Sequence, residues 1–337
     1  MMQKSKLIKF PTDITILRKE LKDLLPAEAF LPQKNLLLNF AFLWILISVG
    51  IIIVLNSSNF LIQLAASITL GLSWTIVSFY AHLFIHGHIP ISKKLQNLIA
   101  LPCLYFAMIS PTGWSHWHSL HHRFGTLDEN VSGFQTINWV KNSFIKNYLG
   151  KIKPNQNTFF SFIYLFFWKA LAFFVNQIFY FLNPRFRKQI DPAKMAIELF
   201  TLLFVHVLLW RLLSWNEIFY IEIIPWALQN LGGSLFVVTN HHPKLIANKC
   251  CFRNICSIHL GNKTLDSLFL NMGYHIEHHV FPECSPYYLP FVGKLLNERY
   301  PNEYKIISLT TALKTIFLLK SDELSTLPKF KNNRKIF

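Results

Sequence analysis

Hydrophobic and polar positions divide this chain into long apolar runs separated by basic polar stretches. Between Asn35 and Ser92 there is no Asp, Glu, Lys or Arg, a stretch of 58 residues. A bilayer crossing needs ~20 apolar residues in a helix. The stretch therefore predicts two spans, at 36–55 and 60–81, joined by the polar turn Asn56-Ser57-Ser58-Asn59. A second pair, at 196–213 and 217–238, is joined by Ser214-Trp215-Asn216-Glu217. Its second member is less regular, because it carries Glu222, Pro225, Gly232 and Gly233. The run 98–110 is too short to cross, and 159–182 is interrupted by Lys169, Asn176 and Gln177. The first span is no signal peptide: it follows a polar segment, 1–34, is too long for an h-region and leads straight into another span.

Charge selects the topology. Of 33 Lys and Arg, residues 1–34 hold seven, 90–157 seven, 183–195 four and 239–337 thirteen, while the turns 56–59 and 214–217 hold none. Basic residues collect on the cytoplasmic side of a membrane. Four crossings put all four basic segments there, with 98–110 and 159–182 in, or dipping into, the cytoplasmic interface. Six crossings would strand Arg185, Arg187 and Lys188 outside, so four is preferred. The net charge of +16 then reads as contact with anionic headgroups and as a docking face for an acidic electron carrier. Nucleic acid is not indicated, because the basic residues interleave with membrane elements and form no reading motif.

Composition agrees. Hydrophobic residues make up 52% and charged residues 15%, against ~25% charged in soluble proteins, which excludes intrinsic disorder. Five Cys in 337 residues make no disulfide scaffold, and the odd number suits a reducing compartment. Cys250, Cys251 and Cys256 match no standard zinc spacing and are read as thiols.

The histidines carry the chemistry. His82 and His86 form HxxxH at the end of the second span; His118, His121 and His122 form HxxHH; His275, His278 and His279 form HxxHH again. At about 100° per residue, positions i, i+3 and i+4 of a helix share one face. Each box can therefore aim its imidazoles at one point. Eight converging imidazoles exceed the four ligands one zinc takes and imply two ions. Imidazole suits Fe, Zn, Cu and Ni, and excludes Mg and Ca. His88 lies roughly 240° from His82, and His116 roughly 160° from His118, so both point away from these faces. His206 and His259 are read as hydrogen-bonded core or interface residues. His241 or His242, after the fourth span, is placed to supply a ninth ligand.

The runs AHLFIHGH, WHSLHHRF and NMGYHIEHHVFPECSPYYLP resemble the membrane fatty acid desaturases and related hydroxylases. Asn271, Tyr274, the third box, Val280-Phe281-Pro282 and Leu289-Pro290 carry the most specific part, and the likeness covers roughly 80–300. It implies an all-α integral membrane protein, four transmembrane helices with a cytosolic helical cap carrying the histidine boxes. The domains would be a cytosolic segment, 1–34, a membrane desaturase domain, 35–320, and a polar tail, 321–337. By position, the resemblance makes His82, His86, His118, His121, His122, His275, His278 and His279 the ligands of two iron ions on the cytoplasmic side. It adds His241 as the ninth, with His242 as its alternative. The first box has Leu83 where the family often has an acidic residue.

Removing hydrogen from an alkyl chain is beyond any side chain and needs a cofactor. The resemblance implies O2 as co-substrate, a fatty acyl chain of a lipid or thioester as substrate, and a double bond as product. No fused haem or ferredoxin domain is recognisable, so electrons are expected from a separate ferredoxin- or cytochrome-type carrier. Asp128, Glu277 and Asp266 are the candidates to receive the second N–H of ligating imidazoles. A hydroxylase or ketolase of the same superfamily is the near rival, though the Asn-Tyr third box leans towards desaturation. A non-enzymatic zinc transporter or sensor is the distant one, and it would need polar residues inside the spans.

Overall fold

The computed structural model describes residues 14–124, 177, 188–241, 255–301 and 304–318. Four helices are long and apolar enough to cross a membrane. They are α2 (Lys34–Asn56), α3 (Phe60–His86), α6 (Pro192–Leu212) and α7 (Trp215–His241). They match the four spans expected from the sequence, with α3 running five residues further, to His86. Three shorter helices belong to the first half: α1 (Ile14–Leu21), α4 (Lys93–Cys103) and α5 (Pro111–Phe124). Four more follow α7: α8 (Lys263–Leu268), α9 (His275–Val280), α10 (Leu289–Arg299) and α11 (Leu309–Leu318). The sequence reading did not foresee a short parallel pair, β1 (Ser257–His259) with β2 (Ile306–Ser308), in register Ile258 to Ile307.

Local chemistry sets the ends of the spans. Asn59 caps α3 by accepting from the N–H groups of Leu61 and Ile62. Gly87 closes it at φ 76°, a left-handed position that costs a glycine little. Asp191 caps α6 and Pro192 opens it. Ser214 and Glu217 form a reciprocal capping box at the start of α7. Gln63 donates from α3 to the carbonyls of Val54 and Ser57 across the first turn. These two turns hold their helix pairs without any basic residue, as the charge pattern requires.

Helix α3 is the hub of the membrane part, packed between α2 and α7. A Cβ on Gly71 would come within 2.6 Å of Leu228 Cβ, and one on Gly232 within 2.6 Å of Thr75 Cγ2. Two hydrogen-only side chains thus let α3 and α7 touch, the usual device where lipid is as apolar as the protein. Helix α7 includes one π-helical stretch, Phe219–Ile223. There Ser67 of α3 donates to the Tyr220 carbonyl at 2.5 Å, and Glu222 turns inward. Its carboxylate accepts from Tyr105 Oη at 2.9 Å and meets His206 Nδ1 at 3.1 Å.

A second, smaller core lies beyond the spans. Leu17 and Leu21 of α1, Ile276 and Val280 of α9, and Val292 and Leu296 of α10 are all buried together. Arg18 ties α1 to the end of α9: its Nε donates to the Val280 carbonyl at 2.6 Å and its Nη2 to Glu283 at 2.7 Å. This module holds the third histidine box against the ends of α3 and α7.

Candidate metal centre

Three helix ends and one whole helix meet where α3 and α7 finish. Helix α3 brings His82 and His86, and α7 brings His241. Helix α5 brings His118, His121 and His122, and α9 brings His275, His278 and His279. Their rings sort into two groups. His82, His86, His118, His122 and His278 have ligand atoms all within 4.8 Å of one another, and so do His121, His275 and His279. His241 joins the second group, with its Nε2 at 2.8 Å from His275 Nε2 and its ring 4.8 Å from that of His121. The groups adjoin: the His122 and His279 rings are 4.4 Å apart.

The division cuts through both HxxHH boxes. In α5, His118 and His122 serve one group and His121 the other. In α9, His278 serves the first and His275 and His279 the second. Both helices thus contribute to both groups, while α3 and α7 contribute to one each.

Ring nitrogens crowd in a manner that hydrogen bonding does not explain. His118 Nε2 lies 2.9 Å from His86 Nε2 and 2.9 Å from His122 Nε2. His122 Nε2 is also 3.1 Å from His278 Nε2. In the second group, His279 Nε2 lies 3.0 Å from His121 Nε2 and 3.2 Å from His275 Nε2. A ring nitrogen has one in-plane hydrogen or one lone pair, so it cannot make two such bonds. Two imidazoles bound to one ion at about 2.1 Å have nitrogens about 3 Å apart when their bonds are at right angles. The spacings match a shared ion. Both ring nitrogens of His82 are buried without a hydrogen-bond partner among the described residues. The donor set therefore fits two imidazole-bound ions.

Electrostatics prepares the rings for metal. Burial, chiefly, and then the neighbouring imidazoles hold His118, His122, His275, His278 and His279 well below the usual histidine range. Burial alone brings His121 down to about 4. All six remain neutral at physiological pH, the form that binds metal. The ring of Trp117 lies parallel to His121 at 5.6 Å and fixes its plane.

The other described histidines stand apart from both groups. His88 is buried beside His86, their rings 5.9 Å apart. His116 is half-buried. His206 stacks on Tyr105 at 3.9 Å and pairs with Glu222, and His259 Nδ1 accepts from the Gly261 N–H. His242 lies outside the described residues.

Several expectations need correction or fall outside the description. Glu277 and Asp266 do not receive imidazole N–H groups. Glu277 is fully buried between the Ser257 and Tyr304 hydroxyls, both of which donate to it. Burial raises its pKa to about 7, against those hydrogen bonds. Asp266 accepts from the Leu260 N–H instead. Proximity in sequence misled here, because in a one-and-a-half-turn helix Glu277 faces away from its histidine neighbours. Asp128 lies outside the described residues. Cys256 is disulfide-bonded rather than a thiol; Cys250 and Cys251 lie outside the description.

Further along the spans, a partly open apolar cavity of about 210 Å³ lies beside the α3–α7 contact, lined among others by Leu72, Thr75, Leu228, Gly232, Phe236 and Phe269. Thr75 is seven residues from His82 and Phe236 five from His241, or about 10 and 8 Å along their helices.

An all-helical set of spans that gathers buried imidazoles into two adjoining groups defines an integral membrane protein built to hold metal. The fatty acid desaturase family model matches residues 58–310, three quarters of the chain, and the chain belongs to that family. Membership makes it a metal-dependent oxidoreductase of the fatty acid desaturase type, working in a bilayer on fatty acyl chains. A search of curated proteins finds no match.

Proposed function

We propose that this protein is an O2-dependent di-iron desaturase that introduces a double bond into a fatty acyl chain of a lipid or thioester. The observation that carries this reading is the pair of histidine groups, five rings and four, in which single Nε2 atoms each face two others at about 3 Å. In this reading His82, His86, His118, His122 and His278 hold one iron, and His121, His241, His275 and His279 hold the other. The centre, when loaded and reduced, supplies the oxidising power that removes two hydrogens from neighbouring carbons.

The chain's own residues do the rest. The neutral rings present lone pairs without competing protons. Burial of the rings keeps bulk water from the reacting carbons. The apolar cavity beside the α3–α7 contact takes part of the acyl chain, and its almost wholly apolar lining suits methylene groups and rejects a headgroup. The headgroup then stays outside, and the depth of the cavity relative to the ions determines which carbons are presented.

The basic segments at 1–34, 90–157, 183–195 and 239–337 support a cytoplasmic location for the centre and a separate, acidic ferredoxin- or cytochrome-type electron donor. Expression in a host lacking the activity, followed by analysis of total fatty acids, tests the reading. A new double bond that disappears with His121→Ala supports it. A new hydroxyl or keto group assigns the chain to the oxygen-inserting members, and an unchanged profile with zinc in the purified protein overturns it.

A further inference from the structure

We propose that Glu198 is a positioning residue for the metal centre: its carboxylate, carried by the membrane-spanning α6, fixes the first turn of α5 and so the rotation at which His118, His121 and His122 face the two ions. This rests on the di-iron reading above.

Glu198 is the one acidic residue of α6, six positions in and about 9 Å from its start. Such a group is costly at membrane depth unless it is partnered. It is buried, and its hydrogen-bond donors all come from the start of α5. Oε2 accepts from Ser110 Oγ at 2.5 Å and from the Thr112 N–H at 3.0 Å, and Oε1 accepts from Thr112 Oγ1 at 2.9 Å. Ser110 Oγ in turn accepts from the Gly113 N–H at 3.0 Å. The opening N–H groups of α5, which no turn of helix can satisfy, are thus met by a carboxylate and by the serine it holds. A negative charge at a helix N-terminus is also favourable in itself. The only cation near the carboxylate among the described residues is Lys194, 3.9 Å away and half-exposed.

The contact leaves no slack. A Cβ on Gly113 would lie 2.4 Å from Gln177 Oε1 and 3.3 Å from Met195 Cε of α6, so α5 meets its neighbours there without a spacer. The segment leading into α5 is non-helical, with Met108 at φ 50°. It is pinned at its other end by a second carboxylate from a span, Glu222 on Tyr105. Irregular backbone among membrane helices needs such partners. From Thr112 to His118 is six residues, about 9 Å of helix. A slip of α5 by one residue turns its rings by about 100°. Because α5 feeds both histidine groups, that slip would disturb both ions at once.

The test compares wild type, Glu198→Gln, Glu198→Asp and His121→Ala, each purified in detergent and loaded with ⁵⁷Fe. Iron per chain, the Mössbauer spectrum and the thermal midpoint are measured. Wild type is expected to hold two irons. Glu198→Gln is expected to keep a folded protein but hold one iron or fewer, with altered quadrupole splitting at whatever iron remains, and Glu198→Asp is expected to recover part of both. Two irons with an unchanged spectrum in Glu198→Gln overturn the proposal. If Glu198→Gln does not accumulate, the double variant Ser110→Ala/Thr112→Val removes the donors instead of the carboxylate and is judged by the same two outcomes. Wild type without iron overturns the di-iron reading itself, and the positioning role with it.

Discussion

His279 Nε2 lies 3.0 Å from His121 Nε2 across 158 residues of chain. That contact puts the middle histidine of the second box in a different ring group from its neighbours His118 and His122. Exchange of either His121 or His118 for Ala is therefore expected to empty different sites. His121→Ala removes a ligand from the four-ring group and His118→Ala from the five-ring group, each lowering lipid unsaturation by at least about 100-fold. Mössbauer spectra of the two variants should retain different iron signals. Identical residual spectra would show that the rings do not sort in this way.

Acid should release the metal. Burial brings His121 down to about 4 from its usual 6.5. Between those values the unfolded chain binds a proton that the folded site does not, so the contribution is complete above pH 6.5 and is lost as pH falls towards 4. Iron retention and thermal midpoint, followed together by dialysis and scanning, are expected to be flat above pH 6.5 and to fall across that window. Iron retained unchanged at pH 4 would contradict the all-imidazole site.

The third box depends on Gly293 of α10. A Cβ there would lie 2.7 Å from Glu277 Oε1 and 2.9 Å from Tyr304 Oη, forcing apart a buried carboxylate and its hydroxyl donor. Gly293→Ala should destabilise the protein by about 1–3 kcal/mol, read as a lower thermal midpoint. An unchanged midpoint would mean that this network does not hold α9.

Filling the cavity should alter which chains are accepted without touching the metal. Leu235 is one of its lining residues. Leu235→Trp is expected to shift products towards shorter acyl chains, measured as the chain-length distribution of unsaturated methyl esters, with iron content unchanged. An unaltered distribution would place the substrate elsewhere.

The spans and the boxes were legible because each is written in local spacing: a charge-free run for α2 and α3, and i, i+3, i+4 for His275, His278 and His279. The distribution of rings between two groups was not legible. In α5 all three histidines share a face, and only the placement of α9 and α7 decides which way His121 turns. Glu222 was visible as an acid within an apolar run and Glu198 was passed over, and neither partner was foreseeable, since Thr112 and Tyr105 are 86 and 117 residues away. The strands Ser257–His259 and Ile306–Ser308 are three residues each, too short for any period to register. Cys256 shows the same limit, since spacing alone does not reveal a disulfide.

The decisive measurement is metal content with X-ray absorption on the purified, iron-loaded protein. Two irons per chain, each surrounded by imidazole nitrogen at about 2.1 Å with no sulfur, is the expected result. A single iron, zinc in its place, or sulfur among the nearest neighbours would contradict a centre built from nine histidines.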